Sequence, residues 1–117
     1  MKATTPIKVS SYKAESGVIP IEEWLDGLDR KSRSRLLARL AKVRAGNLGD
    51  WSALSDTGGV CELREFFVPG FRIYFGREAD DIVLLLCGSD KSDQKKAIKL
   101  AASYWQEHRA GSEDSPK

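Results

Sequence analysis

Apolar and polar residues alternate from Ile7 to Tyr12, the period-two signature of a strand with one buried face. Ser16, Gly17 and Pro20 end it. Ile21, Trp24, Leu25 and Leu28 then recur at helical spacing. They predict a short helix with Pro20 in its first turn and Gly27 closing it early. A longer helix is expected over about Asp29–Ala45, with Asp29 suited to the N-cap and Gly46-Asn47 to the stop. Leu36, Leu37, Leu40 and Val43 form its apolar face, and Lys31, Arg35, Arg39 and Lys42 lie on roughly the opposite side. The short link at Gly27–Asp29 makes the two helices an αα-hairpin.

Asn47–Gly59 is rich in Gly, Asp and Ser and reads as a loop, pinned to the body by Trp51 and Leu54. Three strands follow closely: Val60–Phe67, a Pro69-Gly70 turn, Phe71–Phe75, a charged turn at Arg77–Asp81, and Ile82–Cys87. Spacing this tight fits antiparallel hairpins. Ile82–Cys87 has no polar residue, which suits a central strand covered on both faces. A last helix is predicted over about Ser92–His108, with Ala97, Ile98, Ala101 and Trp105 on its buried side. The order is β-α-α-β-β-β-α. It predicts an α+β domain over residues 1–110, with helices packed on one face of a four-stranded, mostly antiparallel sheet. Residues 111–117 are expected to form a disordered polar tail.

Composition adds bounds. A chain of 117 residues has room for one core, and 31% charged residues befit a folded protein. The net charge of +2 says little, but its distribution says more. Between Asp29 and Gly46 seven cations face a single carboxylate, either a footprint for nucleic acid or an acidic partner, or simply a solvated helix face. Cys61 and Cys87 sit in apolar runs and read as small hydrophobes. The single histidine, His108, lies near the end of the last helix and reads as a cap, so neither a zinc site nor any other cofactor is expected. No phosphate-binding glycine loop or nucleophile elbow occurs. No apolar stretch nears the roughly 20 residues that span a bilayer, and Met1–Pro6 lacks the apolar core of a signal peptide, so a cytoplasmic location without membrane attachment is expected.

The candidate chemistry lies in the second half. Alternation in Phe71-Arg72-Ile73-Tyr74-Phe75 puts Arg72 and Tyr74 on one sheet face, and Glu62 and Arg64 share a face of the preceding strand. If these strands pair across Pro69-Gly70, Arg64, Arg72 and Tyr74 meet, with Lys91 just beyond the next strand. Such a surface offers guanidiniums and an ammonium for phosphate and an aromatic for bases. RNA cleavage through the 2′-hydroxyl needs proton removal, stabilisation of charge at phosphorus and protonation of the leaving oxygen. The cations can stabilise the charge. Proton transfer would fall to Lys91, Tyr74 or groups of a partner RNA. The plainer alternatives are ion pairing for Arg64 and Arg72 and an ordinary sheet aromatic for Tyr74.

Three motifs in series resemble the RelE/ParE-superfamily toxins, in their HigB-like addiction-module-killer branch. They are Gly59-Val60-Cys61-Glu62-Leu63-Arg64, Pro69-Gly70-Phe71-Arg72-Ile73-Tyr74-Phe75 and Leu84–Gln94, and Asn47–Trp51 resembles the loop before them. The similarity extends from about Ile7 to Trp105. It implies the same element order and a metal-independent endoribonuclease that cuts mRNA in the ribosomal A site. It also implies an antitoxin partner, expected to be a helix-turn-helix protein encoded alongside. On this resemblance Arg72 contacts the scissile phosphate, with Arg64 and Lys91 beside it, and Tyr74 joins the candidate site by its place on the same sheet face. Lys31, Arg35, Arg39, Lys42 and Lys95 are the expected RNA contacts. Two departures stand out: Gly88-Ser89 replaces Gly-Gly before Asp90-Lys91, and no tyrosine follows Lys91. Two alternatives remain open on the same fold, a ParE-like DNA gyrase poison and a non-catalytic antitoxin-binding member.

Overall fold

The structure, a computed structural model, describes residues 5–113. In chain order it contains β1 (Lys8–Ser11), α1 (Pro20–Asp26), α2 (Arg30–Arg44), β2 (Trp51–Ala53), β3 (Val60–Glu65), β4 (Phe71–Ala79) and β5 (Ile82–Asp90). A 3-10 turn at Lys91–Asp93 then leads into α3 (Gln94–Glu113). The sheet order is β1-β5-β4-β3-β2, with β1 parallel to β5 and every other pair antiparallel. The α+β class is as the sequence predicts, and the predicted elements appear in their predicted order with one strand added.

The details differ in ways the residues explain. A fifth strand, β2, forms inside the predicted loop, because Trp51–Ala53 pairs with Cys61–Leu63 along the edge of β3. Trp51 and Leu54 do anchor this segment, one on each side of the sheet. The β4–β5 ladder continues through Arg77↔Val83 to Ala79↔Ile82, so the expected charged turn tightens to Asp80-Asp81. The middle strand is therefore β4, and β5 lies between it and β1. Gly111–Glu113, expected in the tail, belong to α3; residues 114–117 of that tail lie outside the described residues.

The helices cover both faces, not one. The lack of polar residues over Ile82–Cys87 of β5 is the reason: Val83 and Leu85 pack with Ile21, Leu25, Leu36 and Leu40 of the helical hairpin, while Leu84, Leu86 and Cys87 pack with Ala97, Ala101 and Trp105 of α3. Two glycines set the contact distance. A β-carbon at Gly76 would fall 2.3 Å from the Trp105 ring, and one at Gly88 would fall 2.3 Å from the Trp24 ring. Each indole thus lies flat on bare backbone, on opposite sides of the sheet. Both cysteines are free and buried, and burial pushes the Cys87 thiol up to about 12. No helix among the described residues is long and apolar enough to cross a membrane.

Helix α2 is rotated from its expected phase. Asp29 caps it, accepting from the Ser32 amide at 3.0 Å. The buried set is Ser32, Leu36, Arg39, Leu40 and Val43, whereas Leu37 is 48% exposed. Arg39 therefore leaves the predicted basic stripe. It is buried because two acceptors await it: its Nε lies 3.6 Å from Glu65, and its Nη2 donates to the Asp50 carbonyl at 3.2 Å. Lys31, Arg35 and Lys42 remain exposed.

Candidate nucleic-acid interface

Pairing across the β3–β4 turn brings the predicted cations together, since Arg64 stands opposite Arg72 and Glu62 opposite Tyr74. In turn Arg72 faces Ser89, and Phe71 faces Asp90. The chain leaves β5 through Asp90, whose carboxylate accepts from the amides of Ser92 and Asp93. The Lys91 amide donates to the Gly70 carbonyl at 3.1 Å. That bond fastens the exposed lysine to the hairpin carrying Arg72. The Gly88-Ser89-Asp90-Lys91 motif thus has a mechanical reading: Ser89 supports β4, Asp90 starts the turn and Lys91 is presented to solvent.

The two arginines differ sharply. Arg64 is fully engaged: Nη2 and Nε donate to Asp50 at 2.7 and 3.2 Å, and Nη1 donates to Ser52 at 2.7 Å and to Glu62 at 3.1 Å. The Asp50 hydrogen bond raises its pKa, and the same contact lowers that of Asp50. Its ion-pair alternative is realised, with Glu62 on its own strand and with Asp50 from the preceding loop. Arg72 is only 8% exposed. Its Nη1 donates to its own strand's Phe71 carbonyl at 3.1 Å. Its Nε is buried without a hydrogen-bond partner, and the Glu62 carboxylate at 3.9 Å is near enough to attract it but too far to accept from it. Glu62, itself buried, therefore stands between both guanidiniums as their shared counterion.

Tyr74 has no exposed surface. Its hydroxyl and that of Ser89 lie 3.0 Å apart, and burial raises the phenol's pKa. As placed, it supports the sheet beneath the arginines and offers no face to a bound nucleotide, which is the core reading of that residue. Lys95 is exposed in the first turn of α3. Arg35 reaches the β3–β4 turn from the other side of the sheet, with its guanidinium 4.9 Å from the Phe67 ring centre. His108 does not end its helix; it contacts Glu78 and stacks on Trp105. Among the described residues no group of three or more His, Cys, Asp or Glu side chains is arranged to hold a metal.

Sequence reasoning missed three participants. Asp50 lies 14 residues from Arg64 and carries no local signal. The role of Ser89 depends on the β4–β5 register. Phe66 was absorbed into a strand, yet it is 70% exposed, with the Arg72 guanidinium 5.7 Å from its ring centre.

The model of a family described as phage-derived protein Gp49-like matches residues 23–103. An uncharacterized protein of Haemophilus influenzae is 36% identical over 90 residues, covering 76% of this chain and 89% of that protein. Among solved structures, a double arginine-to-alanine mutant of the E. coli toxin RelE in the free state superposes with a TM-score of 0.59. The match covers 85% of this chain and 96% of that one, at 11% identity, and is a likeness of fold.

Proposed function

The chain belongs to the phage-derived Gp49-like family, and from that premise we propose that it is the toxin of a toxin–antitoxin pair, a metal-independent endoribonuclease acting on ribosome-bound mRNA. The expected relation to the RelE/ParE superfamily supports this through family and fold together. The observation that carries it is Arg72: a nearly buried guanidinium with an unmet Nε donor, flanked by Arg64 and followed across the hairpin by Lys91. Phosphate is the ligand class that a guanidinium so placed fits best.

In the proposed reaction the 2′-hydroxyl attacks the adjoining phosphorus, and the P–O bond to the departing 5′-oxygen breaks. Arg72 stabilises the charge that develops on the phosphoryl oxygens, an effect confined to the transition state. Arg64, held by its two carboxylates, positions the backbone. Lys91 is the exposed group at hand for phosphate contact or proton transfer, and ribosomal RNA supplies what remains. Tyr74 is left out, because its phenol is enclosed. Lys31, Arg35, Lys42 and Lys95 dock ribosomal phosphates with strong salt dependence. Glu replacements at Arg35 and Lys42 are expected to weaken ribosome association, whereas Arg39→Glu would set a buried carboxylate against the half-buried Glu65.

Expression of the chain alone is expected to arrest growth, with relief when the antitoxin encoded beside it is co-expressed. Primer extension on translated mRNA should then reveal cuts, with gyrase supercoiling unchanged. Intact mRNA with inhibited supercoiling would overturn this reading in favour of a gyrase poison.

A further inference from the structure

The β3–β4 turn has an unusual composition. Turn tips are ordinarily polar, yet Phe66, Phe67 and Val68 lie in succession, and two of them face solvent: Phe66 at 70% and Val68 at 90% exposure. Phe67 is the inward member. It packs on the core, with its ring 5.2 Å from that of Phe71 and the Arg35 guanidinium 4.9 Å away. With Phe67 held inward, its neighbour Phe66 projects outward over Arg72. A lone exposed phenylalanine means little. This one lies over the guanidinium of Arg72, a buried residue whose Nε lacks an acceptor.

We propose that Phe66 is a base-stacking residue: an unpaired base lies on its solvent-facing ring while the adjoining phosphate reaches Arg72 around the ring's edge. The inference rests on the nucleolytic reading above and specifies its substrate as single-stranded RNA with splayed bases, because bases inside a duplex are already stacked. Stacking on an aromatic ring tolerates every base, since each has a π-face, so Phe66 contributes affinity and placement rather than sequence choice. The cation beneath the ring favours the arrangement by holding the ring in place and drawing the phosphate to the same spot.

The test uses the full chain and a short single-stranded oligoribonucleotide, with binding read by fluorescence anisotropy. A second set of oligonucleotides carries an abasic residue at each position in turn. Phe66→Ala is expected to weaken binding about tenfold. Phe66→Trp should bind at least as tightly as the native chain. At one abasic position the Phe66→Ala penalty should vanish while the Arg72→Ala penalty remains. Melting temperatures of the Phe66 variants should match the native value, because the ring is exposed. If Arg72→Ala weakens binding and Phe66→Ala does not, or if the Phe66→Ala penalty persists at every abasic position, the stacking role is overturned and the nucleolytic reading stands. If the native chain and its Arg72 variant are alike in binding no RNA, neither the free oligonucleotide nor mRNA on the ribosome, the nucleolytic reading falls and the stacking role falls with it.

Discussion

Strand β4 crosses two environments within a few residues. Around Phe75 and Gly76 the sheet is sealed from both sides, by Trp51 with ring centres 6.1 Å apart and by Trp105 lying on the glycine. There the buried indole is satisfied: the Trp105 Nε1 donates to the Gly58 carbonyl at 3.0 Å. At Arg72 the same alternation puts a guanidinium into the sheet with one donor unmet, beside a turn whose large apolar side chains face solvent. An unmet buried donor costs about 1–3 kcal/mol. One end of the strand holds the fold together, and the other carries a cost that, under the proposed function, a bound phosphate offsets. Local violations of folding rules mark functional surfaces in this way.

The largest stability effect is expected at the sealed end. Gly76→Ala drives a methyl into the Trp105 ring and should cost about 1–3 kcal/mol in denaturant unfolding, the usual range for overpacking. Gly88→Ala should cost less, because Trp24 is only partly buried and can yield. Equal, negligible losses would mean that the indoles do not set the helix–sheet distance.

A smaller effect is expected in acid, at the open end. The hydrogen bond from Arg64 holds the Asp50 carboxyl below its ordinary range. The unfolded chain therefore binds that proton at higher pH than the folded one does. The contribution is present above the usual aspartate pKa and is lost as pH falls through the lowered value. Asp50→Asn should flatten the acid limb of a melting-temperature profile and loosen Arg64. An identical acid limb would make Asp50 a bystander.

The sequence carried much of this fold, and each lapse has a physical cause. Strong periodicity placed α1, α2, α3 and the three consecutive strands, and the run from Ile82 to Cys87 announced cover on both faces. It did not announce that the last helix supplies the second cover, because periodicity gives burial without direction. The three residues of β2 are too few for a period, and their pairing with β3 is non-local. The cross-strand meeting of Arg64 and Arg72 was legible from alternation and the Pro69-Gly70 turn. The burial of Arg39 was not, since it depends on Glu65 and on the Asp50 carbonyl arriving from other elements. Tyr74 shows the same limit: alternation gives its face, and only the path of α3 decides whether that face is open.

Arg72→Met tests the central claim most directly, that Arg72 is retained for a ligand and not for the fold. Methionine keeps the volume and removes the charge, while Glu62 keeps Arg64 as its partner. Replacing a poorly satisfied buried ion by an apolar side chain is often neutral or stabilising. The account predicts a melting temperature at or above that of the native chain, together with a loss of about 10²–10³ in mRNA cleavage. A clear drop in melting temperature with cleavage retained would contradict it.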